Sequence, residues 1–377
     1  MRILIFLLAM CGVLTACSNA QVLENPLKKV LSSKNPNIKR VMDSVDQYEV
    51  QIRYTQIDRG KDSVLFTDYD FQVDREDYFY PASTVKFPIA VLALEKLNEI
   101  DTLNRNTRFY VEGDSVETTF AKAVSEIFAV SDNHANNRLV EFLGQDAING
   151  RLRNKGIDPV RISHRLGYHS DDVTTKPLVI YLNDSTTATL EGSVNTAPRP
   201  LQLNKIRKGT GFYEEDSLME GPFDFSLKNY YPIDAQHGVL KRVIFPEKFS
   251  EKEKFQLTES QREYLLGTMH TLPKAVGYDP ITYYDGYCKF FLYGDTKEDI
   301  PDHIKIYNKV GFAYGTLTDC AYIVDTKNDV EFMLSATILV NKDDIFNDNQ
   351  YEYDAIGIPF LAELGRLLYD YELKRDK

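Results

Sequence analysis

Apolar and polar positions alternate along two early stretches, Gln47 to Ile57 and Val64 to Val73, with Arg59-Gly60 between them. Alternation puts one row of side chains on a core and the other in water, so the pair predicts a β-hairpin. Residues 36–47 just before it carry a helical period. After Pro81-Ala82, Phe87, Val91, Leu92, Leu94 and Leu97 spread over a wide surface, which predicts a buried helix beginning near Ser83. Pro88 falls early in that helix, where its missing N–H is tolerated.

Residues 119–130 and 133–143 predict two more helices, broken at Ser131-Asp132-Asn133, because short polar side chains cap helix ends more readily than they extend them. Thr258 with Gln261 predicts a capping box opening a helix that runs to His270 and closes at Pro273. Ile304 to Phe312, Asp319 to Val324 and Val330 to Val340 read as a β-meander turning at Gly315 and Lys327-Asn328-Asp329. An amphipathic helix over residues 353–373 ends the chain. The first hairpin and the last meander can share one antiparallel sheet, with terminal helices on one face and the long middle helices on the other. Short strands are predicted at Leu178 to Leu182, Thr187 to Leu190 and Leu201 to Ile206, as a β-rich excursion within residues 175–250 that serves as a lid, a partner surface or a tolerated surface insertion.

Composition narrows the setting. A net charge of −12 and the lack of a basic stripe exclude a nucleic-acid backbone as partner, and 43% hydrophobic residues can supply a sizeable core. The six histidines show no metal-ligand spacing and no C-x-x-C occurs, so neither metal nor cofactor is expected. Residues 1–16 have an apolar run too short to span a bilayer and read as an export signal. Leu14-Thr15-Ala16-Cys17 resembles the bacterial lipobox, which implies lipidation at Cys17, a tether over residues 17–35, and a monomeric catalytic domain over 36–377 held to the cell envelope, on its periplasmic side. Cys11 leaves with the signal, so Cys288 and Cys320 remain, either bonded or as buried thiols.

Chemistry concentrates in three short motifs in order: Ser83-Thr84-Val85-Lys86, Ser131-Asp132-Asn133 and Lys309-Val310-Gly311. A serine hydroxyl needs a neighbouring base to become a nucleophile, and a lysine three positions later on the same helix face can reach it. Lys86 must be neutral for part of the cycle, which requires desolvation or a nearby cation, and Lys309 is the natural second cation. Ser131 would pass a proton to the leaving amine, Asn133 would hold Lys86 and a substrate amide, and Lys309 would attract a substrate carboxylate. Singly, each residue reads as a helix cap or a surface charge; the ordered set is what carries the signal.

S-x-x-K, S-D-N and K-T-G together mark class A β-lactamases and penicillin-binding proteins. The stretches PASTVKFPIAVLALEKL, AVSDNHANNRLVEFLG and KVGFAYGTLTDCAYIVD make this chain resemble the class A branch over residues 40–370. The resemblance implies an α+β fold, an α/β sandwich with an antiparallel sheet beside an all-α subdomain. It also implies acylation of Ser83 by a β-lactam or related amide followed by hydrolysis, and an oxyanion hole from the backbone N–H groups of Ser83 and Phe312, just after Gly311. Two departures bear on activity. The family's Glu-x-x-Leu-Asn element is missing; RISHRLGYHSDDV places Ser170 at the glutamate's position, with His169, Asp171 or Asp172 as substitutes. Val310 replaces a hydroxyl that helps bind a β-lactam carboxylate, and no arginine occurs between residues 309 and 365. A D,D-peptidase acting on cell-wall stem peptides, or a slow β-lactam- or peptide-binding lipoprotein, are therefore alternatives.

Overall fold

The computed structural model describes residues 25–61, 63–167 and 171–375. The segment expected to be an export signal, Cys17, His169 and Ser170 lie outside the described residues. The central sheet has five strands, β1 (Gln51–Arg59), β2 (Val64–Phe71), β3 (Ile304–Ala313), β4 (Thr316–Asp325) and β5 (Val330–Leu339). Their order is β3-β4-β5-β1-β2 and every neighbouring pair is antiparallel. The first hairpin and the last meander thus meet where β1 pairs with β5, Tyr54 lying opposite Leu334. β3 lies at an edge, with one row of its backbone groups free of the sheet.

Alternation along the strands feeds two cores. On one face Ile304, Ile306 and Val310 pack with α1 (Pro26–Leu31), α2 (Pro36–Met42) and α9 (Ile358–Lys374). The other face carries α3 (Lys86–Leu97), α4 (Phe120–Val130), α5 (Asn133–Leu143), α6 (Gln145–Asn154), α7 (Ile233–Ile244) and α8 (Glu259–His270). Helix α3 is apolar nearly all round because other elements enclose it: every residue but Lys96 is buried. The Thr258–Gln261 capping box forms as predicted. Among the described residues no helix is long and apolar enough to cross a membrane.

Two local expectations are corrected, and one open alternative is decided. The helix over 36–47 divides into Pro36–Met42 and Val45–Tyr48, the first capped by Asn35. Leu201 to Ile206 is not a strand: Asn204 makes a single bridge to Asp77, and Leu201, Leu203 and Ile206 pack against an aromatic cluster of Tyr78, Tyr80, Phe225, Tyr230 and Phe346. Its alternation serves that cluster rather than a ladder. Cys288 and Cys320 are both buried free thiols.

The excursion expected within residues 175–250 instead closes at a neck where Arg161 and Tyr230 exchange backbone hydrogen bonds of 2.8 Å each way, because helix α7 (Ile233–Ile244) takes up the end of that range. Residues 162–229 leave and return through it, before α7 begins. Leu178–Asn183 and Thr186–Leu190 pair there as an antiparallel hairpin. Gly211–Glu214 runs parallel to Ile345–Phe346, so the excursion is stitched to the loop that follows β5.

Candidate active site

Ser83 sits in a 3₁₀ turn, Ala82–Val85, that runs directly into α3. Ala82 has φ 46°, a left-handed conformation that costs a residue with a Cβ and persists only where the surroundings enforce it. Thr84 helps, its hydroxyl donating to the Pro81 carbonyl at 2.6 Å. Gly311 on β3 presses against this turn: a Cβ there would lie 2.8 Å from Pro81 O and Ser83 N and 2.9 Å from Thr84 N. Glycine is therefore what lets the edge strand touch the turn carrying the serine.

Ser131 ends α4 in a left-handed conformation, φ 58°, and Asp132 caps α5 by accepting from the Ala135 N–H at 2.7 Å. This junction aims Ser131 and Asn133 at Lys86. The Lys86 amine bonds to the Ser131 carbonyl, to Asn133 Oδ1 at 2.7 Å and to Ser131 Oγ at 3.2 Å. Lys309 Nζ reaches the same Ser131 Oγ at 2.8 Å and the Val310 carbonyl at 2.8 Å. Ser131 is thus suspended between two lysines.

Burial and repulsion decide their protonation. Lys86 is fully buried, and desolvation, then the charge of Lys309, drive its pKa well below the ordinary lysine range. The three oxygens around the amine match the three donors of an ammonium; on losing a proton it can keep the two carbonyl partners, Ser131 and Asn133, and turn its lone pair to a hydroxyl. Lys309, 2% exposed, is lowered to about 8 by desolvation, partly offset by Cys288 and Asp319. Behind it lies a buried network that the sequence reading missed. Lys289 donates to Asn308 Oδ1 at 2.6 Å, and Asn308 donates to Asp319 Oδ1 at 2.9 Å.

Ser83, Asn133 and Phe312 line a cleft of about 610 Å³. Its wall comes from the excursion (His164, Leu166, Gly167, Asp171, Lys228) and from the stitched loop (Asn347, Asn349, Tyr351). Phe312, half exposed, leans on Tyr353 with ring centroids 5.5 Å apart. Val310 points away, 2% exposed in the opposite core.

The geometry bears on the missing water-activating base. Asn137 clamps Leu166 into the cleft wall, donating to its carbonyl at 2.8 Å and accepting from its N–H at 3.0 Å. His164 is neutral: burial lowers its pKa to about 4, Nδ1 bonds to the Arg165 carbonyl, and Nε2 accepts from the Asn229 N–H at 3.2 Å. Both ring nitrogens are engaged. Among the described lining residues Asp171 is the one carboxylate, while Asp172 is turned to cap its own loop through the Thr174 N–H at 2.7 Å. Among the described residues no cluster of His, Cys, Asp and Glu could hold a metal ion.

Comparison with known proteins places the fold. Residues 35–197 match the Beta-lactamase enzyme family. The chain has the β-lactamase fold. A β-lactamase from Sphaerobacter thermophilus superimposes with a TM-score of 0.51 at 13% identity, covering 91% of this chain and 95% of that one. A class A β-lactamase from Mycobacterium abscessus gives 0.50 at 15%, covering 89% and 98%. A β-lactamase from Burkholderia ambifaria gives 0.50 at 14%, covering 89% and 97%. No curated protein matches. The family match ends inside the excursion, so this β-lactamase-like chain builds part of its cleft wall, Lys228 and the stitched loop included, from residues beyond it.

Proposed function

We propose that this protein is a serine hydrolase of the β-lactamase type that forms an acyl-enzyme at Ser83 with a β-lactam or related amide and releases it slowly. The observation that carries the reading is the Lys86–Ser131–Lys309 chain, with the Lys86 pKa driven down by burial and by Lys309 beside the turn bearing Ser83. The Ser83 hydroxyl attacks the amide carbonyl as Lys86 accepts its proton, and the backbone N–H groups of Ser83 and Phe312 receive the developing oxyanion. The C–N bond then breaks, and Ser131, placed between the two lysines, passes a proton to the departing amine.

Slow release follows from the wall of the cleft. Hydrolysis of the ester needs a base on water; His164 has both nitrogens engaged, which leaves Asp171 as the one carboxylate among the described lining residues for that work. The same observation favours a second reading, a D,D-peptidase acting on cell-wall stem peptides, in which an amine rather than water accepts the acyl group. Export, lipid anchoring at Cys17 and a monomeric state on the periplasmic side of the envelope complete the proposal.

Mass spectrometry of the purified protein during incubation with a penicillin tests it, with hydrolysis followed in the same tube and Ser83→Ala as control. A persistent adduct on Ser83 is expected. Turnover without an adduct would remove slow release from the proposal, and neither adduct nor turnover would remove the β-lactam. The intact mass of membrane-extracted protein, with Cys17→Ser as control, reads the lipid anchor.

A further inference from the structure

Among the described residues, the charges around Ser83 leave one lysine on the open cleft. Lys86 and Lys309 are 0% and 2% exposed, and their amines are engaged by Ser131, Asn133 and the Val310 carbonyl. Val310 offers no hydroxyl and lies in the far core. Lys228 is the only lysine or arginine among the described lining residues. It is half-buried, and among the described residues its Nζ has neither hydrogen bond nor ion pair.

Its backbone is held firmly. The Arg161 guanidinium donates to the Ser226 carbonyl at 2.8 Å and to the Lys228 carbonyl at 2.5 Å. Asn229 Oδ1 accepts from the Ser163 N–H at 2.8 Å and from the His164 N–H at 3.2 Å, and the Tyr78 hydroxyl donates to the Asn229 carbonyl at 2.9 Å. The neck of the excursion thus presents this lysine at a fixed place on the wall. Desolvation depresses its pKa, with Asp171 pulling the other way. An ammonium that has lost hydration without gaining a hydrogen-bond partner among the described residues is a site prepared for an anion, because the folded chain has already met part of the desolvation cost.

We propose that Lys228 anchors a carboxylate of the bound acyl donor, so that the cleft selects anionic amides over neutral ones. The acyl donor itself rests on the reading above; the anchor does not require that acylation occur. Tyr351, which also lines the cleft, supplies an aromatic ring suited to a peptide-like body.

The test uses two penicillins that differ only by a carboxylate on the acyl side arm. Their affinities are measured on Ser83→Ala, with and without Lys228→Met or Lys228→Arg, and their acylation rates on the unaltered chain. Lys228→Met is expected to weaken the doubly charged compound roughly tenfold, with Lys228→Arg retaining most of the affinity. A loss confined to that compound assigns Lys228 to the side-arm carboxylate, and an equal loss for both assigns it to the ring carboxylate they share. No loss with either compound overturns the anchor, and so does binding of neither. Charge-dependent binding to Ser83→Ala without acylation of the unaltered chain would sink the acylation reading and leave the anchor standing.

Discussion

Replacing Gly311 with alanine separates the contact that aligns the site from the chemistry within it. The new Cβ would lie 2.8 Å from Pro81 O, 2.8 Å from Ser83 N and 2.9 Å from Thr84 N. Ordinary van der Waals contact begins near 3.4 Å, so β3 and the nucleophile turn must part by roughly half an ångström. All three atoms are backbone, so no side chain can rotate away. Overpacking of this kind costs about 1–3 kcal/mol of stability, whereas displacement of reacting groups by about an ångström costs on the order of 100-fold in rate. Because the Phe312 N–H is carried on the displaced strand, the acylation rate is expected to fall by about 30- to 100-fold. Gly150, on α6 with nothing within 4 Å of its Cβ position, is the control: alanine there should leave the rate unchanged and raise stability by up to ~1 kcal/mol. The assay is the rate of adduct formation on Ser83 by mass spectrometry, paired with thermal unfolding. A Gly311→Ala protein that acylates within threefold of the unaltered one would refute the claim that close approach of β3 sets the geometry.

Two further predictions concern the lysines and the cleft wall. The acylation rate should rise with pH as Lys86 loses its proton and fall as Lys309 loses its own near pH 8; Lys309→Met should abolish the falling limb and move the rising limb to higher pH, because the charge that depresses Lys86 has gone. A pH–rate profile with unmoved limbs would separate the two groups. Asn137→Ala removes both hydrogen bonds that clamp Leu166, and should cost about 1–3 kcal/mol and speed hydrogen exchange at the Leu166 amide; exchange as slow as in the unaltered chain would show that the wall does not depend on the clamp.

The parts of the fold legible in the sequence were those whose signals are local. Alternation in β1 and β2 and in the closing meander, the Thr258 cap and the polar break at Ser131 each lie within a dozen residues, and each reappears in the structure. Helix α7 was missed because its buried face includes Gln236 and His237, which blur the apolar period. The fold tolerates them by pairing: Gln236 donates to the Tyr231 carbonyl at 2.9 Å, and His237 bonds Thr55 at 2.8 Å and Ser335 at 2.9 Å. Helix α6 was missed because only Gln145, Ile148 and Leu152 are buried on it, too few to set a period. Lys289, Asn308 and Asp319 gave no signal at all, since their network depends on which residues the β3–β4 register and the segment before β3 bring together.

The same distinction bears on what the chain does with an acyl group once it has one. The motifs that form the Lys86–Ser131–Lys309 chain are short, and they recur in an ordered set that names a fold. The wall of the cleft is assembled from described residues between 162 and 229 and from the loop after β5, joined by pairing that no local pattern announces. In that wall the clamp on Asn137 holds an apolar residue, Leu166, and the histidine has both nitrogens occupied. Among the described lining residues only the Asp171 carboxylate could act as a base on water, so most of this wall serves something other than activating it. Selection of an anionic donor and protection of its ester fit the enclosure better, and they place the distinctive chemistry of this protein on Lys228 and its neck as much as on Ser83.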